Sequence, residues 1–221
     1  MNNIQFTCSD DIVLKNYPVI PAKKMLPDWF KTVSTETRLH IAGNTIPTIK
    51  QCMPVMDILT SGYIIVNPYD LTLFPKDEPG NYEGIISHSH VNYQPTTHHH
   101  KMCPVRIDDN KKHWVKIKHP WTVITPEGYS CLFLQPFYNF NHDLSLFPAI
   151  VDTDKHDLPV QFPGYSMQSK SITLKQGEPL MQVIPFKRDE WNMELGFKES
   201  ASKLEGGYQY KDLFHTKKKF T

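Results

Sequence analysis

The chain has 221 residues, of which 39% are hydrophobic, 12% aromatic and 21% charged, enough apolar surface to offset chain entropy and exclude a disordered polypeptide. Its 24 Lys+Arg against 23 Asp+Glu leave a net charge of +1, so no general field gathers nucleic acid or an anionic membrane, and no segment approaches the roughly 20 apolar residues of a membrane span. With 18 prolines spread along the chain there is little room for long helices, and short strands joined by fixed loops fit better.

In chain order, Ile12 to Ile20 reads as a short apolar strand. Pro18, Pro21 and Pro27 then punctuate the approach to Asp28-Trp29-Phe30-Lys31, where a proline near a helix start and an aspartate at the positive end of the dipole predict a helical turn. Residues 1–48 together read as an N-terminal docking arm. The stretch Ile49 to Leu59 predicts a short helix, and Ser61-Gly62 hands over to the strand Tyr63-Ile64-Ile65-Val66. Asn67 to Asp70 is a turn, Leu71 to Phe74 a strand, and Pro75 to Asn81 a loop, a pattern that a hairpin satisfies. A strand beginning near Gly84 leads through a histidine-rich connection to the alternating segment Trp114 to Lys118. Further strands are expected at Trp121 to Thr125, Tyr129 to Leu134, Ala149 to Val151 extending toward Phe162, Ser171 to Leu174, and Leu180 to Phe186. This β core spans 49–188. Residues 189–221 read as a C-terminal helix over Glu194 to Gly206 followed by a tail, with Lys217, Lys218 and Lys219 a solvated basic end.

Cys8, Cys52, Cys103 and Cys131 form no Cys-x-x-Cys pair, which excludes the close spacing of a zinc finger or redox motif. The first residues lack the charged and apolar regions of an export signal, so reduced thiols in the cytoplasm are expected. The chain also lacks a Walker loop, a Gly-x-Ser-x-Gly elbow and a His-Glu-x-x-His helix.

Three patterns bear on chemistry. His88-Ser89-His90 places two imidazoles on one face of a strand, and His98-His99-His100, His113 and His119 follow; neutral imidazole binds Zn, Fe or Ni, and Mn is a further candidate. The pair resembles the first ligand pair of the cupins, whose second motif aligns with Pro126-Glu127-Gly128-Tyr129-Ser130-Cys131, cysteine standing in place of the third histidine. The resemblance implies a metal at His88, His90 and Cys131; the plain alternative is a pair of surface histidines.

Second, Pro148-Ala149-Ile150-Val151-Asp152-Thr153-Asp154 and Gly177-Glu178-Pro179-Leu180-Met181-Gln182-Val183-Ile184 resemble the dUTP pyrophosphatase and dCTP deaminase superfamily, of the β-clip fold. Where that family carries its metal-associated Asp, its phosphate-contacting Arg-Ser and its stacking Tyr, this chain has Ile64, Glu127-Gly128 and Lys155. The resemblance therefore implies a fold and not an activity. Asp152 and Asp154 persist, and serve equally well as turn formers.

Third, Trp29, Trp114, Trp121, Trp191, Phe137-Tyr138-Asn139-Phe140 and Phe162-Pro163-Gly164-Tyr165 supply either core or a rigid contact surface. Across the chain, residues 27–31, 49–54, 61–65, 120–130 and 182–188 resemble an uncharacterised family of tailed phages and some bacteria, which implies an origin rather than a chemistry.

The expectation is an all-β domain, a β-barrel or double sheet of the β-clip or cupin-like kind with short terminal helices. It acts as a non-catalytic binding or structural module, as a homo-oligomer or with another protein, in the cytoplasm or a virion. The alternatives are a metal-dependent enzyme built on His88 and His90, with Cys131, His113 or His119 as further ligands, and a diverged nucleotide-binding protein using the Asp152 region.

Overall fold

In a computed structural model of the chain, the structure describes residues 2–38, 45–75, 82–86, 96–97, 113–139, 144–166 and 171–197. The fold is mainly β. Its centre is an antiparallel sheet in the order β13 (Ala149–Val151), β11 (Tyr129–Leu134), β16 (Pro179–Lys187), β5 (Tyr63–Val66) and β2 (Ile20–Pro21). A second sheet runs β12 (Leu144–Leu146), β14 (Phe162–Ser166), β9 (His113–Ile117), β8 (Thr96–Thr97), and a third β15 (Ile172–Leu174), β6 (Leu71–Pro75), β7 (Tyr82–Ile86). Two ribbons complete the strands, β1 (Gln5–Cys8) with β10 (Trp121–Ile124) and β3 (Glu36–Arg38) with β4 (Thr45–Pro47). The helices are α1 (Asp11–Asn16), α2 (Asp28–Thr32) and α3 (Met53–Thr60). The expected all-β class holds, as several sheets with few short helices, and among the described residues every sheet remains open and no closed barrel is found.

The central strands are apolar on both faces, the mark of a sheet covered on both sides. In β5, Ile65 joins the main core with Leu73, Phe133, Phe162, Met181 and Val183. Its neighbours Ile64 and Val66 point the other way and pack with Ala22 beneath β2, as the period of two requires. By contrast β15 alternates buried, exposed, buried, which fits a sheet with one wet face. The hairpin expected after Asp70 is β6–β7, in register from Leu71 opposite Ile86 to Pro75 opposite Tyr82.

Two segments differ from their reading. Ile12 begins a helix rather than a strand, because the Asp10 carboxylate accepts the backbone N–H of Ile12 at 2.9 Å and of Val13 at 3.0 Å. That cap satisfies two otherwise orphaned donors, and Val13 alone anchors the helix in the core while Ile12 and Leu14 stay exposed. At the other end, residues 188–197 contain no helix, turn or bend. The helix expected from Glu194 is therefore absent at its start, and its remainder lies outside the described residues. The N-terminal segment is woven into the body: β1 pairs with β10, β2 with β5, and Phe30 is buried.

Glycine is required at one turn in particular. Gly62 has φ +69°, and a Cβ there would stand 2.0 Å from the Val183 carbonyl oxygen of the adjacent central strand. Gly128 has φ +82° but open space around its Cβ position. Gly62→Ala should therefore cost at least about 3 kcal/mol, a backbone clash added to left-handed strain. Gly128→Ala should cost only about 1–2 kcal/mol, from the dihedral alone. Urea unfolding of the two variants measures the difference, and equal losses would contradict it.

Candidate functional site

The residues singled out for a metal fall in different surroundings. His88, His90 and His98 to His100 lie outside the described residues. His113 is the first residue of β9. Cys131 sits fully buried in β11, where burial pushes its thiol up to about 11 despite a hydrogen bond from Thr153 Oγ1 at 3.4 Å; at neutral pH it holds its proton, and a metal would have to displace it. His119 is buried against Phe162, ring centroids 4.4 Å apart. Its Nδ1 accepts the Trp121 backbone N–H at 3.1 Å, so in the neutral ring the proton sits on Nε2. Among the described residues no hydrogen-bond partner meets His119 Nε2 or Trp121 Nε1. Desolvation lowers the imidazole pKa to about 3, keeping it neutral. No group of three or more His, Cys, Asp or Glu side chains converges on a metal-sized space among the described residues.

Asp152 and Asp154 are brought together with a residue that sequence reasoning passed over, Arg188. The Arg188 guanidinium makes a two-pronged ion pair with Asp154, whose side chain is 2% exposed, and Nη1 also donates to Ser130 Oγ at 2.9 Å. Ser130 Oγ in turn donates to Asp152 Oδ1 at 2.7 Å. The Gly128 N–H donates to Asp154 Oδ2 at 2.9 Å, and the Arg188 N–H donates to the Gly128 carbonyl at 2.8 Å. Hydrogen bonding from Arg188 holds the Asp154 carboxyl down at about 2. Asp152 is also lowered, first by Ser130. This cluster consumes its own charges: it ties the β10–β11 turn, the chain after β13 and the end of β16 together. Glu127 and Lys155 are exposed beside it, and Ile64 is buried in β5.

Among the described residues, a concave surface lies toward the other end of β16. Met25, Leu26 and Trp29, from the chain entering α2, face Leu59 of α3 and the rings of Phe137 and Tyr138 across a cleft of about 480 Å³, floored by Ile64 and Gln182. Trp29, Phe137 and Tyr138 are all half-exposed. Trp29 Nε1 donates to the Tyr138 carbonyl at 2.9 Å, and the two rings lie 6.1 Å apart. Tyr138 is in the left-handed region at φ 57°, the third residue of a turn closed by the Asn139 N–H on the Pro136 carbonyl at 3.2 Å. Glycine or asparagine ordinarily takes that place, and a tyrosine there costs of order 1–3 kcal/mol, a strain that recurs at ligand clamps. Gln182 fixes the floor. Its Oε1 accepts the Phe137 N–H at 3.2 Å, and its Nε2 donates to the carbonyls of Ile58 at 3.0 Å and Ser61 at 2.7 Å. Trp29 and the Phe137-Tyr138 pair were visible in the sequence as aromatics. Their meeting across 109 positions had no sequence signal.

No family model and no curated protein matches the chain. Among solved structures, a mutant dUTPase from phage phi11 of S. aureus, described with a structural Mg(II) ion, superposes with a TM-score of 0.40 and 12% identity over 91% of this chain and 100% of that one.

The two buried titrating groups give a pH prediction with a definite sign. His119 is held below its unfolded value near 6.5, so the native state's stability against the charged unfolded ring is complete above that pH and falls as pH drops toward 3. Asp154 is held below its unfolded value near 3.9, so its contribution is lost only between about 4 and 2. Melting temperature should begin to fall below pH 6.5 in the wild type. His119→Phe should flatten the decline between 6.5 and 4, whereas Asp154→Asn should lower the melting temperature at pH 7 and converge with wild type near pH 2. A His119→Phe profile parallel to wild type would refute the assignment.

Proposed function

We propose that the chain is a non-catalytic binding domain whose aromatic cleft receives an apolar segment of a partner protein. The observation that carries this reading is the shelf of half-exposed Trp29, Phe137 and Tyr138 rings held open by a strained turn. Such rings offer large contact area at low entropic cost. Several polar groups at the cleft are engaged within the fold: Trp29 Nε1 on Tyr138, both ends of the Gln182 amide, and Asp28 with Lys31 at the rim. A sugar or nucleobase gains its orientation from convergent polar groups, and an apolar side chain needs none. A phage or bacterial origin and self-association, both implied by the sequence, accord with such a role. So does the Asp152, Asp154 and Arg188 cluster, whose two carboxylates outnumber its one guanidinium, so that a triphosphate finds no spare cation.

Calorimetric titration of the full chain with short apolar peptides should show saturable binding. Leu26→Asp, which places a carboxylate on the cleft wall, should weaken it at least about tenfold with an unchanged circular dichroism spectrum. Turnover on a panel of nucleotides and small acids, or peptide binding indifferent to Leu26, would overturn the reading.

A further inference from the structure

The segment that follows β16 has a pattern that none of the described residues uses. Trp191, Met193, Leu195 and Phe197 are 84–95% exposed, at every second position of a stretch with no turn or bend. Glu190, Asn192, Glu194 and Gly196 alternate with them. Period two over the seven residues Trp191 to Phe197 is the pattern of a strand with one apolar face, and four alternate large side chains left in water mark a contact surface.

We infer that residues 189–197 are a donor arm that seats its apolar face in the aromatic cleft of a second copy of this chain. The inference rests on the binding reading above and names the occupant of that site. Three observations choose a second copy. The cleft is apolar and wide enough for two or so large side chains, and the arm presents side chains of that kind. The charges also match. The arm carries Asp189, which is paired to Lys187, and the carboxylates Glu190 and Glu194, with no Lys or Arg, whereas residues 22–32 beside the cleft carry Lys23, Lys24 and Lys31 against Asp28. Lys31 is paired to Asp28, while the exposed Lys23 and Lys24 make no ion pair among the described residues.

Finally, the arm cannot readily serve its own cleft. It leaves β16 after Lys187, while the cleft lies along Pro179 to Gln182 of that strand, roughly 17–26 Å back. To return, the chain would have to reverse after Arg188, which is clamped to Asp154 and Gly128, and residues 188–197 contain no turn or bend.

Sedimentation equilibrium of the full chain tests this. Wild type should self-associate, and Trp191→Ser with Phe197→Ser, both at solvent-exposed positions that leave the fold intact, should weaken association at least about 100-fold. Lys23→Glu with Lys24→Glu should weaken it as well, and adding Glu190→Lys with Glu194→Lys to that variant should restore it. A monomeric wild type, association indifferent to the arm substitutions, or failure of the charge swap to rescue would each overturn the inference. If apolar peptides still bind the cleft in that case, the donor arm is wrong and the binding reading stands; if they do not, both fall.

Discussion

The cleft depends on one buried amide. Gln182 is 2% exposed in the central strand, and it fastens three pieces of chain that share no sheet with one another at that point: the end of α3, the Ser61-Gly62 turn and the Pro136 turn. An apolar residue of the same size would fill the space. It would also leave the Ser61 carbonyl and the Phe137 N–H without the partner Gln182 gives them, at about 1–3 kcal/mol each when buried, and the Ile58 carbonyl with only the Ser61 N–H at 3.4 Å. Because the amide is bipolar, it can serve an acceptor pair on one side and a donor on the other, which no hydroxyl or carboxylate does. The strained Tyr138 follows directly, since the Phe137 N–H is drawn down to Gln182 while the Tyr138 carbonyl is drawn out to Trp29. The turn between these two anchors is what absorbs the strain.

Arg188 provides the matching constraint at the far end of the same strand. An arginine is suited to it because the planar guanidinium meets Asp154 with two donors at once while the backbone N–H reaches Gly128. Asp154 is almost wholly removed from solvent, so losing the arginine would leave a buried carboxylate that can only become neutral or expel itself. Two carboxylates that resemble a nucleotide or metal site in one dimension thus act here as a rivet between β11, β13 and β16. Their spacing in the sequence was informative; their chemistry was decided by a residue 34 positions later.

How much could be read beforehand follows from the range of the interactions. The central strands were legible because their β-branched and aromatic runs are bounded by Gly, Pro and Asn, and a strand buried on both faces needs only an apolar run. Helix α1 was not, because Ile12, Val13 and Leu14 are contiguous and carry no period; the deciding signal was Asp10, a cap placed just before them. The ribbon β3–β4 is exposed along its length and so leaves no hydrophobic trace. The cleft required contacts spanning 109 and 45 positions, invisible to local pattern. Residues 27–31, 61–65 and 182–188 supply Trp29, Ile64 and Gln182 to it. In the arm, the change of composition after Arg188 was plain, but the helix expected from Glu194 passed over the strict alternation of Trp191, Met193, Leu195 and Phe197.

The two ends of β16 therefore carry different halves of one design. Its first residues, through Gln182, hold an acceptor surface open, and its last, through Arg188, fix the direction in which the arm departs. An assembly made from two different surfaces of one chain joins by donation rather than by a single self-complementary patch, and the rotation between donor and acceptor decides whether it closes. That rotation is not left to a flexible linker. Arg188 is bonded through both its main chain and its side chain, and Lys187 pairs with Asp189 at 2.9 Å across it. The exit angle of the arm is thereby coupled to the rivet. If the arm docks in a second copy as proposed, a change at Asp154 would alter not only stability but the geometry at which copies meet, whereas a change at Gln182 would remove the acceptor and leave the donor aimed as before.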